Sequence, residues 1–326
     1  MDAIKIGVIG AGNMGRNHIR LTSELPEFEL VGIFDIDKNV QQVAEQYNTR
    51  IFSELDDILP LIEAVIIASP SATHADMAIR AAEKGVHALV EKPLGLGYEE
   101  ALAIYEAFQG AGTLLAVGHV ERFNPVILEV EKMIEHEDVI AINTRRFSPK
   151  DMRINDTDVL QDLLIHDLDI VMNCLNKSSV KRLHANGRTA FSEQFVDYVH
   201  SIVEFENGVL ATLEASRTTE DKIRDIDIHT TNAFIRMDLL NKSLTITRRT
   251  NYRLDTGYNH SYRQENIMEK VFIPMVEPLR AELLDFAKCI RCGGAPRICG
   301  GDACYILETV DKMKMQIYRE GQDLGG

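Results

Sequence analysis

The 326-residue chain is short of basic residues, of cysteine and of long apolar runs, and each shortage excludes something. Thirty-five lysines and arginines stand against 50 aspartates and glutamates, a formal charge of −15. Such a balance repels nucleic acid and anionic lipid unless basic residues are locally clustered. No cluster stands out along the sequence, so neither nucleic acid nor a membrane is expected as a partner. The five cysteines are an odd number in a chain far too long to need disulfide staples, which points to reduced thiols and a cytoplasmic location. The most apolar runs, such as Ala64-Val65-Ile66-Ile67-Ala68, stop after five residues, whereas a membrane-spanning helix takes about twenty. Met1-Asp2-Ala3 opens no basic, apolar or cleavable leader, so no secretory signal is expected. Low-complexity linkers and internal repeats are also missing.

What is present is an ordinary globular composition, 45% hydrophobic and 26% charged, in a chain long enough for two domains. Through about residue 120, short β-branched runs alternate with longer helical patterns. The runs are Ile4–Ile9, Leu30–Asp35, Ala64–Ala68, His87–Val90 and Leu114–Val117. Helical spacing covers Gly15–Ser23, Lys38–Tyr47, Thr73–Glu83 and Tyr98–Ala107. This alternation predicts βαβ units and a doubly wound parallel sheet. After about residue 140 the period becomes two, in Val199–Phe205, Val209–Ala215, Ile223–Thr230 and Leu244–Arg248, with turns such as Glu206-Asn207-Gly208. Those segments predict a large, mainly antiparallel open sheet in an α+β domain, with helices at Val159–Leu175, Glu277–Arg291 and Asp302–Arg319.

Directly after the first strand stands Gly10-Ala11-Gly12-Asn13-Met14-Gly15, a complete G-x-G-x-x-G that opens a helix. In this context the first glycine makes a tight turn, the second lets the backbone approach a pyrophosphate and the third permits close helix-strand packing. The helix N-terminus presents unsatisfied N–H groups to the anion. Asp35, at the end of the second strand, is placed to accept hydrogen bonds from an adenosine ribose diol. With strand, spacing and acid all in place, a ligand-free glycine turn is the poorer reading. A carboxylate there repels a 2′-phosphate, and the next residue is Ile36 rather than an arginine, so NAD is favoured over NADP. Arg16, in the first helical turn, is close enough in sequence to touch a phosphate. The expected domains are therefore residues 1–120 for NAD binding and 121–326 for substrate binding and oligomerisation, the last helices being free to pack back on the first domain.

Further along come Ser69-Pro70-Ser71-Ala72-Thr73-His74, Glu91-Lys92-Pro93, Gly118-His119-Val120-Glu121-Arg122-Phe123-Asn124-Pro125, Asp162-Leu163-Leu164-Ile165-His166-Asp167-Leu168-Asp169 and Glu277-Pro278-Leu279-Arg280-Ala281-Glu282. With the fingerprint, these five motifs in order resemble the Gfo/Idh/MocA family of sugar and cyclitol oxidoreductases. The resemblance runs nearly end to end. It implies an N-terminal Rossmann domain whose NAD is held by Gly10, Gly12, Asn13, Met14, Gly15, Asp35, Ser69, Pro70, His74, Glu91 and Lys92, and catalytic roles for Lys92, Asp162 and His166. The segment Gly118–Pro125, with Arg153-Ile154 ahead of the later helix, is most similar to the branch that oxidises the 3-hydroxyl of UDP-N-acetylglucosamine. That branch implies a nucleotide-sugar substrate, a 3-keto product and a partner aminotransferase. Family members use the second domain's sheet to form homodimers or homotetramers. The chain departs from the family at Leu164, where many members have glycine, and a leucine at that point is expected to narrow the substrate pocket.

The chemistry of the residues fits this resemblance. Oxidising a secondary alcohol requires removal of its proton, a task suited to a His or Lys whose pKa lies near the working pH. On a helix Asp162, His166 and Asp169 share one stripe, being four and then three residues apart. Lys92 lies just beyond the carboxyl end of a parallel strand, where open α/β sheets place ligands. Either His166 or Lys92 can take the proton, leaving the other to hold the hydroxyl and Asp162 to orient the pair or the sugar. Arg122, Asn124, Arg146 and Arg153 lie in or beside segments that can reach the cleft, and arginine's planar fork suits a diphosphate; the resemblance singles out Arg153, because the similar branch places an arginine at that point before the later helix. Cys289, Cys292, Cys299 and Cys304 lack the paired knuckles of a structural zinc site, so no metal is expected. Two other functions stay open at this point: a dehydrogenase of a free sugar or inositol, and a non-catalytic NAD-binding sensor or repressor.

Overall fold

The computed structural model describes residues 2–37, 40–151, 157–191, 194–255 and 260–323. The chain divides into two compact units, one of residues 1–123 with 276–311 and the other of residues 124–275 with 312–326. Among the described residues no helix is long and apolar enough to cross a membrane.

The first unit carries six parallel strands, β1 (Ile4–Ile9), β2 (Phe28–Phe34), β3 (Arg50–Phe52), β4 (Ala64–Ile67), β5 (His87–Glu91) and β6 (Leu115–Gly118), in the order β3-β2-β1-β4-β5-β6. This is the doubly wound sheet expected from the alternation, with its switch point between β1 and β4, where such sheets bind ligands. Strand β4 is buried at every residue, as a parallel strand covered on both faces must be. Its connections include helices α1 (Asn13–Glu24), α2 (Val40–Gln46), α3 (Leu55–Ile58), α4 (His74–Glu83) and α5 (Tyr98–Ala111). Lys38, in the helix expected over Lys38–Tyr47, lies outside the described residues. The short strand β3 was not expected: three residues are too few to show a period.

The chain returns to this unit late. In α8 (Pro278–Cys292), Leu279, Leu283, Phe286 and Ala287 complete the same core as Ile6, Val8, Ile19 and Leu21. Each large side chain buried in this way contributes about 1.5–3 kcal/mol. A buried arginine ties a second returning segment to the unit: Arg122 donates to Asp302 (2.8 Å) and to the carbonyl of Arg297 (2.9 Å), while Arg297 donates to the carbonyl of Arg122 (3.1 Å).

The second unit is built on an eight-stranded sheet in the order β14-β13-β12-β11-β7-β10-β9-β8. Its strands are β7 (Val139–Phe147), β8 (Val180–Arg188), β9 (Tyr198–Phe205), β10 (Leu210–Ser216), β11 (Ile223–Thr230), β12 (Ala233–Asp238), β13 (Ser243–Asp255) and β14 (His260–Val271). Only β7 and β10 pair in parallel, as a mainly antiparallel sheet predicts. One face presents Ile142, Leu213, Ala215, Ile226, Ile228, Ile235 and Met237, all buried, and the period-two pattern of these strands follows from that burial. Strand β7 and helix α6 (Pro125–Ile134) escaped the sequence reading, although Asn124 and Pro125 are an N-cap and first-turn proline in plain view.

The segment expected as one helix over Val159–Leu175 is α7 (Ile165–Ile170) flanked by wider five-residue π-turns at Leu160–Leu164 and Val171–Leu175. The widened turns rotate the side chains away from 3.6-residue spacing. Asp162 and His166 are half-buried, but Asp169 is fully buried and accepts from Asn173 (3.0 Å), so the expected three-residue stripe ends at His166. Within the same segment Asp167 accepts two hydrogen bonds from Arg146, at 2.8 and 2.6 Å, and both side chains are 2% exposed. Removing one partner of a buried pair leaves the other charge uncompensated, at about 3–5 kcal/mol. Asp167→Ala is therefore expected to lower the urea midpoint of unfolding by that equivalent, and an apolar pair replacing both residues recovers most of it; an unchanged midpoint in Asp167→Ala contradicts this account.

Candidate active site

In the first unit the chain reverses at the fingerprint because three glycines do three different things. Gly10 adopts φ +88°, and a Cβ there would stand 2.7 Å from the backbone of Ala68. A Cβ on Gly15 would lie 1.9 Å from the carbonyl oxygen of Gly10. Gly12 is the opposite case, with nothing within 4 Å of where its Cβ would be: its bare side leaves room for a ligand's approach. Gly12 also caps α1 without a side-chain hydrogen bond, so the first N–H groups of a twelve-residue helix are left for an anion.

Asp35 holds this turn to the end of β2. One carboxylate oxygen accepts from Ala11 N (2.5 Å) and the other from Asp37 N (2.7 Å). The turn, Asp35 and the loops after β4 and β5 enclose a cleft of about 740 Å³. Of the residues assigned to the cofactor from the sequence, all but Gly15 and His74 line it. Its size, the open approach at Gly12 and the unpaired helix end fit a dinucleotide.

His74 works one layer back. Fully buried, it stands between the two loops that border the cleft, with Nδ1 2.9 Å from the carbonyl of Pro93 and Nε2 3.0 Å from that of Ser69, and in the neutral ring the single N–H donates to one of the two. Burial holds its pKa below the ordinary histidine value, against the pull of those two carbonyls. The Lys92-Pro93 peptide is cis, and Lys92 itself is half-buried at the cleft.

Beneath Lys92, Glu91 meets the fully buried His18 at 2.7 Å. Glu282, on α8, is buried with both carboxyl oxygens lacking a hydrogen-bond partner. Burial, reinforced by the charges of Glu91 and Asp285, pushes its pKa well above the ordinary value. A raised acid pKa means that folding favours the protonated form. Stability is then complete below the unfolded value of 4.5 and is lost as pH rises toward the folded pKa. Glu282→Gln is expected to melt higher than the parent protein at pH 8, with the gap closing as pH approaches 4.5; a gap independent of pH contradicts the assignment.

The second unit holds Asp162 and His166. Asp162 lines a smaller cavity of about 190 Å³ together with Arg146, Arg217, Lys222 and Arg224. Arg217 pairs with Asp162 at 3.2 Å. Leu163 borders this cavity, whereas Leu164 is fully buried in the core, so the departure from the family's glycine fills the core and does not narrow this pocket. Of the four residues offered for a diphosphate, Arg146 lines the cavity while paired with Asp167. Arg122 makes the structural contacts given above, and the Asn124 side chain caps α6 by accepting from Val126 N (3.1 Å). Arg153 lies outside the described residues. Sequence reasoning missed Arg217, Lys222 and Arg224, whose positions after β10 and in β11 show no common motif.

Comparison with known proteins agrees with this geometry. Residues 4–119 match the oxidoreductase family with an NAD-binding Rossmann fold, and residues 139–236 match the GFO/IDH/MocA C-terminal domain. The chain is 32% identical to UDP-N-acetylglucosamine 3-dehydrogenase of Acidithiobacillus ferrooxidans over 76% of its own length and 78% of that protein's. It is 30% identical to scyllo-inositol 2-dehydrogenase (NAD(+)) of Bacillus subtilis over 94% and 92%. A solved structure of the Acidithiobacillus enzyme superimposes with a TM-score of 0.88, at 29% identity, covering 97% of this chain and 98% of that one. Fold, glycine turn and relatives together define an NAD-dependent oxidoreductase. The chain belongs to the Gfo/Idh/MocA family.

Asp35 lines the cleft, and a carboxylate in that position repels a 2′-phosphate. Hydrogen bonds to a charged group contribute about 1.5–3 kcal/mol, or roughly 10–100-fold in affinity. Asp35→Ala is expected to weaken NADH binding in that range by fluorescence titration, and Asp35→Ser with Ile36→Arg to shift preference toward NADPH. Equal affinity of the parent protein for NADH and NADPH contradicts this role.

Proposed function

We propose that this enzyme oxidises the 3-hydroxyl of UDP-N-acetylglucosamine to a 3-keto sugar. The observation that carries the reading is the likeness, over nearly the whole chain, to an enzyme of that name. NAD, when bound, supplies the two-electron acceptor. Lys92 holds and polarises the reacting hydroxyl, His166 takes its proton and Asp162 orients the sugar. A ketone beside an N-acetyl group is a substrate for transamination, so the product feeds an aminotransferase. The open sheet of the second unit, with Ile202 and Met268 exposed, serves as the assembly face of a homodimer or homotetramer working in the cytoplasm.

A second reading has its own support in the 30% identity to the inositol dehydrogenase, with a free cyclitol or sugar as substrate. The two separate in one assay of NADH formation with UDP-N-acetylglucosamine, UDP-glucose, free N-acetylglucosamine and inositol, an aminotransferase drawing off the ketone. The proposal expects NADH with the UDP-amino sugar alone, and oxidation of inositol in its place overturns it. Loss of a general base costs about 10²–10⁴ in rate, so His166→Ala is expected to lose that much turnover while NADH affinity is unchanged; full activity in this variant removes His166 from the mechanism.

A further inference from the structure

The cavity beside Asp162 has a charge that the rest of the molecule does not predict. In a chain of net charge −15, four cationic side chains, Arg146, Arg217, Lys222 and Arg224, line one space with two carboxylates, Asp151 and Asp162. Arg146 and Arg224 stand directly opposite each other across β7 and β11, an arrangement in which like charges repel. Asp167 answers the charge of Arg146 from the core side. Lys222 has no ion pair with a described residue.

Arg217 supplies a second, independent observation. Its side chain is 4% exposed, and its two terminal nitrogens donate to the carbonyls of Thr157 (2.8 Å) and Asp158 (2.9 Å), the latter nitrogen also pairing with Asp162. Its Nε is buried without a hydrogen-bond partner, and buried donors in native proteins are almost always satisfied. The volume, about 190 Å³, is below the range that takes a whole drug-sized ligand and suits one charged group of a larger molecule.

We infer that Arg217, Lys222 and Arg224 form the seat of the substrate's diphosphate, and that Arg217 transmits its occupancy to Asp162. The inference rests on the nucleotide-sugar reading for the identity of the ligand and adds the residues that recognise it. Thr157 and Asp158 lead directly into the helix that carries Asp162 and His166, and Arg217 grips both of their carbonyls. A diphosphate held by Lys222 and Arg224 sits beside Arg217 in the same cavity and so restricts the guanidinium and the carboxylate it pairs with. Binding energy from a non-reacting part of the substrate is thereby used to orient the reacting part. Arg217 is on this account a positioning residue, whereas Lys222 and Arg224 are anion ligands.

The test uses the full chain saturated with NADH, so that the glycine turn is occupied, and titrates inorganic pyrophosphate by calorimetry. Binding is expected in the parent protein, weakening at least tenfold in Lys222→Ala and in Arg224→Gln and falling as salt rises, with NADH affinity unchanged as the check on folding. Absence of binding to the parent protein, or equal binding to the folded double variant, overturns the inference. Steady-state kinetics then separate the roles: Lys222→Ala is expected to raise KM for UDP-N-acetylglucosamine, and Arg217→Lys to lower kcat more than it raises KM. If pyrophosphate binds through these residues but UDP-N-acetylglucosamine is not oxidised, the anion seat stands and the proposed substrate falls. If that sugar is oxidised with KM untouched in both Lys222→Ala and Arg224→Gln, the seat falls and the substrate stands.

Discussion

The tightest constraint at any described glycine is the passage of Gly15 over the carbonyl of Gly10, where even a methyl group would stand 1.9 Å from the oxygen. Helix α1 can begin where it does, directly off β1, only because neither position carries a side chain. That start leaves the helix N-terminus at the sheet's switch point and leaves Gly12 bare toward the cleft. Asp35 then ties the turn to the neighbouring strand through Ala11 N and Asp37 N. A side chain at Gly10 or Gly15 would collide with neighbouring backbone, whereas one at Gly12 would meet nothing in the protein. The cleft is therefore shaped by backbone packing more than by side chains.

Charge is handled differently in the two units. In the first, acids and histidines are buried: Glu91, at the cleft, meets His18, while Glu282 sits without a hydrogen-bond partner on a helix that returns late in the chain. An ionised carboxyl in that position is costly to bury, and the protein accepts pH-dependent stability there. In the second unit, arginines do the structural work. Arg146 is neutralised by Asp167, and Arg217 is braced by two carbonyls and Asp162. The same guanidinium groups that make these buried contacts also border the cavity.

Contiguous features were the readable ones. The fingerprint, Asp35, the loops at Ser69 and Lys92 and the helix of Asp162 and His166 each lie within a few residues of one another, and local backbone rules suffice to place them. Strand β7 was missed even though it is central to its sheet, because Asn143, Arg145 and Arg146 interrupt its apolar pattern, and only the pairing with β10 and β11 reveals which of them face inward. Asp169 was placed on the wrong stripe because the π-turns that flank α7 change the residues per turn, and nothing in the local composition announces them. The arginines were the hardest to assign: Arg122 and Arg146 were marked for a ligand, and the structure shows Arg146 held by the buried Asp167 and Arg122 by Asp302 and the carbonyl of Arg297.

What the sequence determined by itself was the class of fold and the shape of the glycine turn, since a tight turn, a helix start and an acid at a strand end are dictated by sterics and hydrogen bonding over short distances. Tertiary structure alone decided which cations share a cavity with Asp162. Arg217 comes from the end of β10, Lys222 from the loop that follows, and Arg224 from β11 opposite Arg146. Their meeting depends on strand register, which is set by the burial of Ile142, Ala215 and Ile226 on the same face. A one-residue slip would turn Arg146 and Arg224 to the other side of the sheet, and no property of the arginines themselves prevents it.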